Sequence, residues 1–187
     1  MHVKNESLLR ILDRSEDIVD LRIILEVYAK TRSTKLVDFC KLSRLLHDLK
    51  EERLTLIQLP KKPLLNVAAC QNHTKIIDTV LSSLDEEEKT QLLIKSHKWS
   101  PLHAAAVRGC SKSVRTILKH CSPELQEKLL SAKCDKGRTA QQYAGIRGHK
   151  DTEDILRTYG KQDLESKRSE CVEYVVLPFQ LTPGHTE

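Results

Sequence analysis

Trp99–Leu118, WSPLHAAAVRGCSKSVRTIL, decides how the rest of the chain is read. Ser100-Pro101-Leu102-His103 predicts a tight turn entering a helix. Ala104-Ala105-Ala106 is small and apolar, so another backbone can approach closely there, and Ala105 is expected to be buried between layers. Gly109 takes a positive φ at little cost and suits the end of that short helix. Ser111 is then placed to cap a second helix with Val114, Ile117 and Leu118 on one face. A helix, a Gly stop and a second helix make half of a repeat unit.

Two further copies share this register. Pro63–Leu81, PLLNVAACQNHTKIIDTVL, carries Leu65, Asn66 and the pair Ala68-Ala69 at the matching places. Its Asn72-His73 stands where a Gly-His is expected, and Asn also tolerates the left-handed conformation. Thr139–Leu156, TAQQYAGIRGHKDTEDIL, matches at Thr139, Ala144, Gly148 and His149. The central copy resembles the ankyrin repeat, whose signature is T-P-L-H-x-A in a unit of about 33 residues. Ser100 stands for the Thr, Pro101-Leu102-His103 and Ala105-Ala106 match, and Cys110 replaces the His that usually follows the Gly. Ala140-Gln141-Gln142 departs from Pro-Leu-His, which suggests a last, capping unit. The resemblance implies an all-α fold, an ankyrin-repeat solenoid of helix-turn-helix units. It also implies that His73, His103 and His149 are structural, their ring nitrogens bonding to backbone near the turns.

The turn positions Pro63, Ser100 and Thr139 lie 37 and 39 residues apart, longer than the usual unit. The extra residues carry helix signals of their own. Asp85 followed by Glu88 resembles a capping box, and Ser122-Pro123-Glu124 offers a cap, a proline at the first helical position and an acid in the first turn. The run Asp85–Glu88 reads as a solvated helix start. Leu92-Leu93 and Leu129-Leu130 should pack on the stack, leaving Lys95–Trp99 and Cys134–Arg138 as projecting hairpin loops. Upstream, Ser15 or Asp17 can start a helix through Tyr28, and Ser33 or Thr34 another through Leu49. Residues 1–61 are therefore expected to form a helical N-terminal cap or degenerate repeat, with a separate small domain as the competing reading. Residues 62–160 hold the ankyrin-type repeats and 161–187 a flexible tail, in which Cys171–Phe179 has β-propensity.

Only 4% of the chain is aromatic, so core filling falls to Leu, Ile, Val and Ala, which favours thin helical layers. The tail has three basic and five acidic side chains; the formal charge of +5 therefore becomes +7 on residues 1–160. That excess fits an acidic partner without demanding nucleic acid. No apolar run is long enough to span a membrane, and MHVKNES lacks a secretory pattern. The six cysteines show no C-x-x-C and read as free thiols of a cytoplasmic or nuclear protein.

Function is read from the same register. Positions just before each turn and just before each Gly fall on the concave face of an ankyrin-like stack. In this sequence they are Lys62, Trp99, Val107, Arg108, Lys136, Arg138, Ile146 and Arg147, with Cys70 and Gln71 at matching positions. They make a basic groove with one aromatic anchor, and Trp and Arg are enriched among binding hot spots. Trp99 has a second reading, as packing for a neighbouring hairpin, in which case the basic residues are simply solvated. The expectation is a monomeric, non-enzymatic protein-interaction module or scaffold that binds a protein or peptide partner, possibly acidic. No metal site, cofactor or catalytic residue is assigned, since no phosphate loop, nucleophile elbow or His pair at ligand spacing occurs. A basic nucleic-acid-binding protein and a cysteine-dependent enzyme are the alternatives.

Overall fold

A computed structural model describes residues 16–28, 32–50, 52–58, 63–95 and 99–160. Lys62, the Lys95–Trp99 loop except its ends, and the tail with Cys171–Phe179 lie outside them. Every regular element among the described residues is helical, as the all-α reading requires. Residues 16–28 form α1. A 3-10 turn at Thr34–Leu36 precedes α2, Phe39–Asp48, and α3 is Arg53–Ile57. Leu64–Cys70 and Thr74–Ser82 are α4 and α5. Glu86–Thr90 is α6, which runs into a π-helical turn at Gln91–Lys95. Pro101–Arg108 and Ser111–Lys119 are α7 and α8, Pro123–Ser131 is α9, Ala140–Ile146 is α10, and α11 covers 150–160.

Three helix–turn–helix units recur: α4–α5, α7–α8 and α10–α11. Each first helix ends on a residue in the left-handed region, Asn72 at φ 61, Gly109 at φ 68 and Gly148 at φ 75. The amide of the next residue then reaches back over the last turn. His73, Cys110 and His149 donate to the carbonyls of Ala68, Ala105 and Ala144 at 3.0, 2.9 and 2.9 Å. These bonds satisfy carbonyls that a helix end leaves open. At the other end, Ser100 Oγ accepts from the His103 amide, and Thr139 forms a reciprocal box with Gln142.

The units pack side by side. α4 lies against α7 and α7 against α10, while α2, α5 and α8 form the parallel row behind them. Ala68, Ala69, Ala105, Ala106, Ala140 and Ala144 are fully buried in the first row, where a longer side chain would hold the helices apart. Ile76, Ile77, Val80 and Leu81 from α5 meet Val114, Ile117 and Leu118 from α8, all enclosed. Each such aliphatic side chain contributes about 2 kcal/mol relative to an exposed one. Leu21, Leu25 and Tyr28 of α1 and Leu42, Leu45 and Leu46 of α2 extend the same core.

Two side-chain bonds repeat from unit to unit. Asn66 Nδ2 donates to the Trp99 carbonyl at 2.9 Å, and His103 Nε2 to the Arg138 carbonyl at 3.0 Å. In the opposite direction, the Cys110 thiol donates to the Cys70 carbonyl at 3.4 Å and His149 Nε2 to the Val107 carbonyl at 3.1 Å. A thiol thus does in the central unit what an imidazole does in the last. His73 differs from the other two histidines, because its Nδ1 shares a 2.7 Å hydrogen bond with the Tyr28 hydroxyl rather than meeting backbone.

The intervening segments form a third set of short helices. Asp85 and Glu88 close the expected capping box, and Ser122 caps α9. Leu92, Leu93 and Leu129 are buried. Cys134–Arg138 is a closed loop, with the Gly137 amide on the Cys134 carbonyl at 2.8 Å and the Cys134 amide on the Arg138 carbonyl at 3.0 Å. Three local expectations change. Ser111 is the first residue of α8 rather than its cap, and its hydroxyl pairs with Thr152 Oγ1 at 2.8 Å. α2 starts at Phe39 under an Asp38 cap, because Ser33 initiates only the 3-10 turn. Glu88 is not a solvated acid. Arg53, 3% exposed, forms a bidentate ion pair with it and donates to the Leu46 carbonyl at 3.1 Å.

Candidate functional site

The row of α4 and α7 carries a cavity of about 370 Å³ on its outward face. Its walls are mainly Pro63, Val67, Trp99, Ala104 and Val107, and Arg32 and Arg108 stand among its lining residues. Val67 sits on α4 and Val107 on the last turn of α7, so the packing of these two helices fixes the width. Asn66 also lines the cavity. Its Nδ2 must face the Trp99 carbonyl, which leaves its enclosed Oδ1 without a donor among the described residues.

Of the residues expected on this face, the cavity brings together Trp99, Val107 and Arg108. Trp99 and Val107 are half-buried and Arg108 is exposed. Lys136, Arg138, Ile146 and Arg147 belong to the next unit and lie outside the cavity, all of them exposed, Ile146 by 60%. Trp99 packs against the next unit. Its ring lies 5.0 Å from the Tyr143 ring, edge-on, and 5.5 Å from His103, while it also lines the cavity. Edge-on aromatic pairs of this kind contribute about 1 kcal/mol beyond burial. Trp99 therefore belongs partly to the fold, and an alanine there disturbs both stability and surface. The Arg138 guanidinium lies 5.9 Å from the Tyr143 ring centroid, closing the aromatic row.

Three contributors escape the sequence reading. Arg32 precedes the recognisable copies. Val67 differs from the alanine its matching position holds in the central unit. Tyr143 stands where that unit has an alanine, and its ring joins two hairpins. The Tyr143 substitution was visible as a departure from pattern; Arg32 had no local signal.

The electrostatics are one-sided. None of Arg32, Arg108, Arg138 and Arg147 has an acidic partner among the described residues. Burial holds the His103 imidazole below its ordinary pKa of 6.5, with the bond to the Arg138 carbonyl pulling the other way. The ring is thus neutral near pH 7, with its proton on Nε2 and Nδ1 accepting from the Ser100 hydroxyl at 2.7 Å. Burial pushes the Cys121 thiol up to about 12, reinforced by Glu86. At Cys134 burial acts in the same sense, but hydrogen bonds from the Tyr143 hydroxyl and nearby backbone bring the thiol below its ordinary value. Its partners are a phenol at 3.4 Å and the Lys136 amide, not a histidine base. The five described cysteines, 40, 70, 110, 121 and 134, are free thiols.

Among the described residues no three His, Cys, Asp or Glu side chains group as metal ligands, and no helix is long and apolar enough to cross a membrane. The arrangement offers hydrogen-bond donors, positive charge and apolar area on one open face. Neither a protein-family model nor a curated protein sequence matches this chain.

Proposed function

We propose that the chain is a non-catalytic protein-interaction module built as an ankyrin-type stack, whose concave face binds a protein or peptide rich in carboxylates. The observation that carries this reading is the set of arginines Arg108, Arg138 and Arg147. All three are exposed and none has an acidic partner among the described residues, and the exposed Ile146 and half-buried Val107 lie beside them. Arginine without an internal partner is suited to bidentate pairing with carboxylates across an interface. The ankyrin assignment is supported by the equivalent left-handed caps, the buried alanine pairs and the repeated unit-to-unit bonds. Five free thiols favour a reducing compartment, cytoplasm or nucleus, and we take the working form to be a monomer.

The test is quantitative affinity capture with the intact chain and with Arg108→Glu/Arg147→Glu, after parental melting of the variant is verified. A protein enriched by the parent and lost from the variant supports the reading. Proteins retained equally by both overturn the assignment to this face. Capture of nucleic acid alone, with steep salt dependence, would replace it with the nucleic-acid reading.

A further inference from the structure

The cavity between α4 and α7 is lined in part by Arg32, a residue from outside the three recognisable units. Arg32 has φ 51, the left-handed region, and its amide donates to the Tyr28 carbonyl at 2.7 Å. The other left-handed positions among the described residues are held by Asn72, Gly109, Gly137 and Gly148, residue types that adopt this conformation cheaply. An arginine in that backbone conformation is strained, and backbone strain beside a cavity fits a role in binding. Arg32 and Arg108 come from separate elements, yet both line one apolar space and neither has an acidic partner among the described residues.

We propose that this cavity is the anchoring subsite for an extended acidic peptide segment of the partner. One aliphatic side chain enters against Val67, Val107 and Trp99, and carboxylates flanking it pair with Arg32 and Arg108. This rests on the partner-binding reading above and adds to it the place and chemistry of the anchor. A volume of about 370 Å³ suits one large side chain with its neighbouring backbone rather than a folded surface. Arg138 and Arg147 of the next unit are also exposed, so an extended peptide has further positive charge to meet outside the cavity and a small carboxylic acid does not.

Trp99 is the chain's one tryptophan, so its emission reports occupancy of this cavity directly. The experiment selects nonamer peptides on the full-length chain by display. The best peptide is then titrated by fluorescence polarisation and, separately, by Trp99 emission. The expected consensus is a single Leu, Ile or Met flanked by Asp or Glu. Both signals should saturate together, and replacing the anchor by Ala should abolish the emission change. Arg32→Asn, which keeps the left-handed turn, and Arg108→Gln should each weaken binding tenfold or more, and Arg147→Gln less than threefold. A peptide weakened by Arg147→Gln but not by Arg32→Asn, or bound without an emission change, overturns the subsite and leaves the concave face standing. Failure to select any peptide, or selection of one indifferent to all three arginines, overturns both.

Discussion

Gly109 and Gly148 occupy equivalent turns with nearly equal φ, 68 and 75, so alanine at either should cost the same if only the local backbone mattered. The surroundings differ. A Cβ at Gly109 would lie 2.7 Å from His149 Nδ1, 2.8 Å from Cγ and 3.0 Å from Cε1, whereas at Gly148 nothing lies within 4 Å. Placing alanine in the left-handed region costs about 1 kcal/mol at both sites. At Gly109 the His149 ring must also move, and it is anchored by its 3.1 Å bond to the Val107 carbonyl. Losing that bond adds about 1 kcal/mol, and loosening the packing about as much again. Gly109→Ala should therefore destabilise by about 3 kcal/mol and Gly148→Ala by about 1. Urea unfolding followed by circular dichroism at 222 nm measures both. A cycle with His149→Ala isolates the cause, since without the imidazole Gly109→Ala should fall to the cost of Gly148→Ala. Equal losses for the two glycine variants, or additivity in the cycle, would refute the interlocking of successive units.

Three further outcomes are expected. Arg53→Ala, which leaves Glu88 without its buried partner, should cost about 3 kcal/mol or more, while Arg53→Met with Glu88→Leu should recover most of it in the same urea assay. Burial lowers the pKa of both the His103 and the His73 imidazole in the folded chain, so the unfolded chain binds these protons first as pH falls; stability should hold above pH 6.5 and decline below it, each ring contributing at most about 1.4 kcal/mol per pH unit, and the decline should shrink in His103→Gln melts between pH 7 and 5. Arg32→Gly should raise stability by about 1 kcal/mol as it relieves the left-handed strain, while weakening the peptide of the preceding section; thermal melting and polarisation on one preparation read both.

Helix positions and the core were legible because they rest on local chemistry. Asn72, Gly109 and Gly148 marked the ends of α4, α7 and α10, and the alanine pairs marked the buried row. The caps at Asp85 and Ser122 were equally local. What escaped depends on pairs distant in sequence. Arg53 and Glu88 are each ordinary charged residues until α3 and α6 meet. Ser111 was a plausible cap until Thr152 took its hydroxyl. The site divided in the same way. The ankyrin-like register pointed to Trp99, Val107 and Arg108, but the ring packing of Trp99 on Tyr143 and the presence of Arg32 beside the same cavity are tertiary facts.

The repeated unit-to-unit bonds end on main-chain carbonyls, those of Cys70, Trp99, Val107 and Arg138. Every amino acid supplies that acceptor. The donors Asn66, His103, Cys110 and His149 hold the architecture, while the acceptor residues present their side chains to the outward face. Substitution at Val107 or Arg138 can change the chemistry of this face and leave the architectural bond intact. Trp99 is the exception, tied also through its ring. Such a separation lets the chemistry of this face vary at little thermodynamic risk: the bonds between units rest on four donors, and change is free to fall on the acceptors' side chains.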